Sequence, residues 1–275
     1  MIEIPLVTIE RVEGVIGDGS KSLEELVYSA LAKLGSAEDV GGVIAATFSN
    51  PERFPALSVR VAAKLGLPIG TPAFDLQMAC SAYPYAVYLA GRLAADTGKK
   101  VLVVDADCQS ALVDRNDHAT GEIFSDAASV SVISSDGTSS ETSRFDFLSR
   151  EDEALSCAAD GPIRMDGMKV FTFVATQVRE WLSAFLSTPS PSPSTSTPLF
   201  IPHQANPYMI RQLAKSLKLT DSLLTLDPEL KNPGSASIPL TIAANRDKIP
   251  AGGARALIAG FGAGFSASAG IVKIL

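Results

Sequence analysis

Apolar residues recur along the chain with two periods that take turns. Over residues 22–34 (SLEELVYSALAKL) Leu23, Leu26, Val27, Ala30, Leu31 and Leu34 share one helical face, and residues 40–46 (VGGVIAA) form an apolar run of strand length. A helix followed by a buried strand is the expected pair. The alternation continues with a helix over about 55–65, an extended segment at 73–78, a helix over 83–96 and a β-branched strand, KVLVVD, at 100–105. Helices that alternate with apolar strands predict a covered, mostly parallel sheet. A polar, irregular stretch containing Asp114, Arg115, Asn116, Asp117 and His118 follows, and residues 127–133 (AASVSVI) then alternate as a strand does.

The rest of the chain repeats this style. A helix is expected over about 169–186, a strand at 199–201, helices over 207–217 and 238–245, and strands near 255–259 and 267–274. The repeated order predicts an α/β fold of two similar halves, 1–150 and 151–275. No short-period repeat is present, so a solenoid is excluded. Residues 187–198 (STPSPSPSTSTP) contain only Ser, Thr and Pro and offer no apolar face to bury. An exposed, extended loop is expected there, either a passive insertion or a PxxP-like segment that binds a partner.

Composition narrows the class. Of 275 residues 46% are hydrophobic and 19% charged, enough apolar content for a sizeable core and too little charge for a disordered polymer. No apolar run approaches the roughly 18 residues of a membrane span. Glu3, Glu10 and Glu13 stand where a secretory signal would be basic and then apolar, so neither membrane insertion nor export is expected. Twenty-three Lys and Arg against 30 Asp and Glu give a formal charge of -7, which repels a phosphate backbone and makes nucleic acid a poor partner. Cys80, Cys108 and Cys157 are odd in number and widely spaced, which supports neither a disulfide framework nor a paired-cysteine metal site. A cytoplasmic chain with reduced thiols is the expectation.

Polar residues of catalytic type stand at several junctions between apolar strands and helices. In DLQMACSAYPY an extended segment ends at Cys80 and a helical pattern begins directly after it, with Pro84 in the first turn, where proline is tolerated. Backbone N–H groups of that turn favour a thiolate, so Cys80 is expected to have a lowered pKa and to act as a nucleophile; the alternative is a buried structural cysteine. His203 follows the short strand in LFIPHQANP and precedes a helix that Pro207 can start. It is either a proton partner for the thiol or a core histidine satisfied by its neighbours. His118, in DRNDHATGE, reads as a solvated loop residue. Asn232 heads the turn KNPGSASIP, either as a functional amide or as plain turn chemistry. The run from Gly260 to Gly264 (GFGAG) lets backbone N–H groups approach a ligand. It precedes a strand pattern where a dinucleotide fingerprint precedes a helix, so a nicotinamide cofactor is rejected.

Taken in order, DLQMACSAY, IPHQAN, NPGSASIP and GFGAGF resemble the motifs of the ketoacyl-acyl carrier protein synthase III family of thiolase-like condensing enzymes. FSDAAS at 124–129 and MDGMKVFTF at 165–173 extend the resemblance, which covers the chain from about residue 22 to 275. It implies a thiolase-like, five-layered α-β-α-β-α fold of two similar halves, a homodimer, and a Cys-His-Asn site between the halves. By the same resemblance, acyl-CoA acylates Cys80, while His203 and Asn232 assist decarboxylation of a malonyl thioester and stabilise its enolate. Backbone N–H groups of Cys80 and Ala263 would form the oxyanion hole. Arg53-Phe54-Pro55 matches a segment in which Phe54 reaches across the dimer interface to shape the partner's acyl pocket; otherwise Phe54 is a core aromatic.

The chain also departs from the family. The family's N-terminal strand, and the following segment with a tryptophan and an arginine near the CoA adenine, are not recognisable. The CoA entrance is therefore expected to be rebuilt or supplied by a partner. Ser125, Ala127 and Ala128 replace glycines, Ala263 stands where Gly is usual, and so does Ala82, two residues after the nucleophile. Trp181, the one tryptophan, reads as core. The resulting expectation is an acyltransferase that forms a carbon–carbon bond by decarboxylative Claisen condensation in fatty-acid or polyketide-type synthesis. Its partners would be acyl-CoA and acyl carrier protein, with no metal or redox cofactor. Two alternatives stand beside it: an acyl shuttle to an oxygen or nitrogen acceptor, and a non-catalytic subunit in a heterodimer with a paralogue.

Overall fold

The structure, a computed structural model, describes residues 1–117, 120–189 and 197–275. Strand β1 (Ile2–Ile16) leads to helix α1 (Leu23–Leu34), which Ser22 and Glu25 start with a reciprocal capping box. Strand β2 (Val40–Ala46), helix α2 (Leu57–Lys64), strand β3 (Ala73–Leu76), helix α3 (Ala82–Thr97) and strand β4 (Lys100–Asp107) follow. Ala56 cannot cap α2; Asp75 on β3 does so instead, accepting the N–H groups of Leu57 (2.8 Å) and Ser58 (2.9 Å). Strands β5 (Ala127–Asp136) and β6 (Thr142–Asp152) precede a small hairpin, β7 (Leu155–Cys157) and β8 (Ile163–Met165). Helix α4 (Gly167–Phe173) passes through a π turn, Val174–Val178, into α5 (Arg179–Ser187). The chain closes with β9 (Leu199–Pro202), α6 (Pro207–Ser216), α7 (Ser237–Ala244), β10 (Ala254–Gly262) and β11 (Gly264–Ile274).

Nine strands join in the order β3-β2-β4-β5-β1-β6-β11-β10-β9. Outward from β1, β5 and then β4 pair antiparallel, and β2 and β3 continue in parallel. Outward from β6, β11 and then β10 pair antiparallel and β9 continues in parallel, with a bridge from Phe200 to Leu223 in the place of a further strand. The same series of pairings thus runs twice from the β1–β6 seam. The sheet is mixed, not mostly parallel as the alternation suggested. Helical crossovers link β2, β3, β4 and the β9–β10 pair, whereas β10 and β11 form a tight hairpin that demands antiparallel pairing.

Packing builds five layers. Leu26 of α1 and Val61 of α2 cover Val43, Leu102 and Val130 of the first set of strands. Tyr83 and Val87 of α3, with Ile238 and Ile242 of α7, fill the centre between Val103 and Ile133 on one side and Ile201 and Ile258 on the other. Phe173, Leu182 and Leu213, from α4, α5 and α6, cover Leu257 and Ile271. The central pair matters for function, because the N-terminal ends of α3 and α7 carry the residues singled out above. Trp181 is half-buried against the α4–α6 layer and donates Nε1–H to Asp146 at 2.8 Å.

Three differences from the sequence reading stand out. The N-terminal strand is present: β1 lies at the centre of the sheet, although residues 17–22 between it and α1 contain neither Trp nor Arg. Strand β6 and the β7–β8 hairpin were not anticipated. His118 and residues 190–196 of the Ser/Thr/Pro segment lie outside the described residues, and Ser187 ends α5.

Candidate active site

Cys80 sits in a single 3-10 turn, Ala79–Ser81, that feeds directly into α3. Ala79 before it has φ +43°, a left-handed conformation that a non-glycine residue holds only under constraint. Several contacts supply the constraint. Ser81 Oγ donates to Met78 O (2.8 Å) and lies 2.6 Å from Ser266 Oγ on β11. Ser268 Oγ donates to Ser81 O (2.6 Å), and Ser266 Oγ also donates to Ala263 O (2.8 Å). The nucleophile turn and the Ala263 peptide are therefore tied to the same strand. Glycine permits this approach: a Cβ on Gly260 would stand 2.8 Å from Cys80 O, and one on Gly262 would stand 3.0 Å from Cys80 Cβ.

The Cys80 thiol does not have the lowered pKa that its position at a helix start predicted. Burial pushes it up to about 12, the charge of Asp107 adds to the rise, and a backbone hydrogen bond opposes it only in part. Desolvation outweighs the helix N-terminus because the residue is only 7% exposed.

His203 follows β9 and is fully enclosed, with its ring nearly perpendicular to that of Phe261. Nδ1 lies 2.6 Å from Ser237 Oγ, the first residue of α7, and that oxygen also accepts Gln204 N–H at 3.3 Å. With the Ser237 hydroxyl donating to Nδ1, the imidazole proton sits on Nε2; with Nδ1–H donating to that oxygen, Nε2 is the free acceptor. Burial lowers the His203 pKa to about 3, so the ring is neutral. Asn232 is held by its backbone: its N–H donates to Ile123 O, and its carbonyl accepts Ser125 N–H and Gln109 Nε2–H, each at 3.0 Å. Its side-chain Oδ1 accepts Gly234 N–H at 3.0 Å, which leaves the amide Nδ2–H to act as donor.

Cys80, His203 and Asn232 line one cavity of about 410 Å³, whose other walls include Phe124, Phe171, Met209 and Tyr208. A second cavity of about 570 Å³ is also lined by Cys80, and Phe48, Leu155, Ile163, Ala263 and Phe265 belong to it. The cysteine stands where the two meet, with Phe124 and Leu155 shared between them. Ala263 lines the second cavity and not the one that holds His203 and Asn232. Phe54 is 84% exposed and lines neither cavity, so it is not a core aromatic of this chain.

Two supporting residues had escaped the sequence reading. Asp107, at the end of β4, accepts Phe48 N–H (3.0 Å) and Thr47 Oγ–H (3.4 Å) on Oδ1, and Ser235 N–H (3.2 Å) and Oγ–H (2.6 Å) on Oδ2. It fastens the turn after Asn232 to the strand ends beside Cys80. Burial raises its pKa to about 6, opposed by the hydrogen bonds from Ser235, Phe48 and Thr47. Ser237 is the second. A buried strand that ends in Asp-Ala-Asp was the available signal for the first; nothing in the sequence marks the second, because its partner His203 lies 34 residues away.

Known proteins share this arrangement of chain. Residues 74–150 match the family described as 3-oxoacyl-[acyl-carrier-protein (ACP)] synthase III, and residues 194–274 match its C-terminal counterpart. The chain is 31% identical over 276 residues to a beta-ketoacyl-[acyl-carrier-protein] synthase III of Rhodospirillum centenum, covering 94% of this chain and 84% of that protein. It is 32% identical over 275 residues to the protein of the same description from Pseudomonas aeruginosa, covering 93% and 82%. Among solved structures, a 3-oxoacyl-(acyl-carrier protein) synthase from Burkholderia xenovorans superposes with a TM-score of 0.87 at 22% identity, over 99% of this chain and 95% of that one, and thereby supports the fold.

Proposed function

The chain belongs to the 3-oxoacyl-[acyl-carrier-protein] synthase III family, and from that premise we propose that Cys80, His203 and Asn232 carry the family's condensation. The protein is an acyl-transferring condensing enzyme that uses acyl-CoA and a malonyl thioester on acyl carrier protein. The observation that supports the residue roles most strongly is that all three side chains line one cavity, while the same cysteine also opens onto a second.

In the first half-reaction Cys80 Sγ attacks the acyl carbon of acyl-CoA, the CoA thiolate leaves, and the thiol proton goes with it as CoA–SH. One thioester replaces another, so the acyl group keeps its reactivity. In the second, the malonyl thioester loses carbon dioxide and becomes an enolate. Nε2–H of His203 and Nδ2–H of Asn232 donate to the enolate oxygen, both as neutral groups aimed at charge that develops only during reaction. The enolate carbon then attacks the acyl carbon on Cys80, and backbone N–H groups of Cys80 and Ala263 receive the oxyanion. Collapse expels the Cys80 thiolate, which takes its proton from water. The high thiol pKa favours this last protonation.

The second cavity is assigned to the acyl chain, and Phe54 of a second copy to closing it, in a homodimer. The halves 1–150 and 151–275 would then supply the nucleophile and the His-Asn pair respectively. A cytoplasmic location and a reaction without metal or redox cofactor complete the reading; among the described residues no helix is long and apolar enough to cross a membrane. The acyl-shuttle and non-catalytic readings are not favoured, since Cys80, His203 and Asn232 are all present and share a cavity.

Intact-protein mass measurement after exposure to a panel of acyl-CoAs tests the first step, and release of carbon dioxide from a malonyl thioester tests the second. A mass gain that vanishes in Cys80→Ser, with carbon dioxide release that depends on His203 and Asn232, is expected. Absence of any Cys80-dependent adduct removes the proposal.

A further inference from the structure

The second cavity carries a polar group that the condensation leaves half unused. Gln109 stands just after Asp107 and Cys108, at the start of the short 3-10 turn Gln109–Ala111, and it lines the cavity of about 570 Å³ together with Cys80, Phe48, Phe124, Leu155 and Ile163. Its side chain is wholly buried. A buried amide is costly unless its hydrogen bonds are made, so the fate of each of its atoms matters.

The nitrogen is fully engaged. Nε2–H donates to Ser125 O at 2.9 Å and to Asn232 O at 3.0 Å, which uses both amide hydrogens. Those contacts also fix which end of the amide is nitrogen, because two carbonyl oxygens can be served only by a donor. The turn after Asn232 packs against the same atoms: a Cβ on Gly234 would stand 2.9 Å from Nε2 and 3.1 Å from Cδ. Oε1 takes the other arm of the amide, away from the two carbonyls. It is closed to solvent and has no hydrogen-bond partner among the described residues.

An acceptor with free lone pairs, on a side chain that has no donor left to offer, suits one class of acyl group. A plain alkyl chain leaves Oε1 unpaired, and a ketone sets oxygen against oxygen. An ammonium group would bring a charge into a wall built largely from Phe48, Phe124, Leu155 and Ile163. A neutral hydroxyl supplies the missing hydrogen at the least cost.

We propose that the acyl cavity selects a hydroxylated acyl group, whose O–H donates to Gln109 Oε1 while its carbon chain packs on Phe48, Phe124 and Leu155. The assignment rests on the reading of the second cavity as the acyl site and of Cys80 as the nucleophile, and it names the class of donor. A site made to pair a substrate hydroxyl discriminates against the analogue that lacks it, because the protein's own buried group is then left unpaired. Gln109 has two tasks on this account: Nε2 holds the Asn232 carbonyl, and Oε1 reads the acyl group.

The test is equimolar competition for Cys80 among butanoyl-CoA, acetoacetyl-CoA and both enantiomers of 2-hydroxybutanoyl-CoA and 3-hydroxybutanoyl-CoA, read as intact-protein mass. These donors share one chain length. A hydroxyacyl adduct should exceed the butanoyl and acetoacetyl adducts by about tenfold in the wild-type chain, the scale of one unpaired buried acceptor. Gln109→Met keeps the length of the side chain and removes the acceptor, so the preference should vanish; Gln109→Leu repeats the comparison if the first variant does not fold. Release of the Asn232 carbonyl in these variants acts on all donors alike and leaves the ratio of adducts unmoved. A wild-type butanoyl adduct equal to or above every hydroxyacyl adduct overturns the proposal and leaves acylation of Cys80 standing, and a hydroxyl preference that survives loss of Gln109 overturns its assignment to that residue. No adduct from any donor removes the nucleophile and this proposal together.

Discussion

Burial keeps the His203 ring neutral in the folded chain down to about pH 3, whereas the ordinary value is 6.5. Between these values the unfolded chain binds a proton that the folded one refuses. Stability conferred by the neutral ring is therefore complete above pH 6.5 and is lost as the pH falls toward 3, by up to ~1.4 kcal/mol per pH unit. Asp107 has the opposite sign, because its folded value of about 6 lies above 3.8: the folded state holds the extra proton, and that stability is lost as the pH rises through 6. Comparison with His203→Gln isolates the first effect. Urea unfolding at pH 7 and pH 5 should show the wild-type chain losing ~2 kcal/mol more than the variant; equal losses would contradict an enclosed imidazole. Asp105 presents a different imbalance. It is wholly buried on β4, neither carboxyl oxygen has a hydrogen-bond partner among the described residues, and burial followed by the charge of Asp107 raises its pKa well above the usual carboxylate range. Val101 and Val103 on the same strand pack into the central core, so Asp105→Val suits the strand. Unfolding should show a gain of ~1–3 kcal/mol from removing an unsatisfied group, and a loss would show that the carboxyl is paired in solution.

At the scale of elements, the turn between Asn232 and α7 does the positioning. Gly234 has φ +59°, and a Cβ there would stand 2.9 Å from both Asp107 Oδ2 and Gln109 Nε2. Gly234→Ala should cost at least ~1–2 kcal/mol in stability from the left-handed backbone alone. Because Gly234 N–H holds Asn232 Oδ1 and Gln109 Nε2–H holds the Asn232 carbonyl, condensation should fall by at least about tenfold while acylation of Cys80, read by intact mass, persists. An equal fall in both half-reactions would place the damage at the nucleophile instead. The elements around this turn were legible in the sequence because each is either one amphipathic face or one unbroken apolar run: α1, β2 and α3 lie within a residue or two of their expected bounds. β1 was not, for a physical reason. Its buried residues are Ile4, Val7, Ile9 and Val12, and a register shift between Ile9 and Arg11 breaks the period of two. β6, with Arg144, Asp146, Arg150, Glu151 and Asp152, has the composition of a loop, and only its neighbours β1 and β11 make it a strand. The site divides the same way. Cys80, His203 and Asn232 are visible as polar residues at element ends, whereas the role of Ser237 arises only when α7 is laid beside β9.

For the whole molecule the open question is what covers its flank. Phe54, Val59, Leu65, Ile69 and Phe74 are large, exposed hydrophobic residues within one short stretch, with Phe54 84% and Ile69 fully exposed. Phe74 lies on β3, an edge strand that among the described residues pairs only with β2. An apolar patch beside an unpaired strand is a site of association, and in a symmetric pair the same patch meets itself. The chain should therefore sediment as a dimer, and Ile69→Asp combined with Phe74→Asp should yield a folded monomer. Phe54 separates two consequences of that interface. Phe48, six residues before it, lines the second cavity, whereas Phe54 lines neither of the two cavities that meet at Cys80. If it closes the cavity of the second copy, Phe54→Ala should remain a dimer yet accept longer or bulkier acyl groups onto Cys80, as read by intact mass across an acyl-CoA series. A dimeric Phe54→Ala with unchanged acyl preference would leave the interface standing and remove Phe54 from the site, and a monomeric wild-type chain at micromolar concentration would remove both.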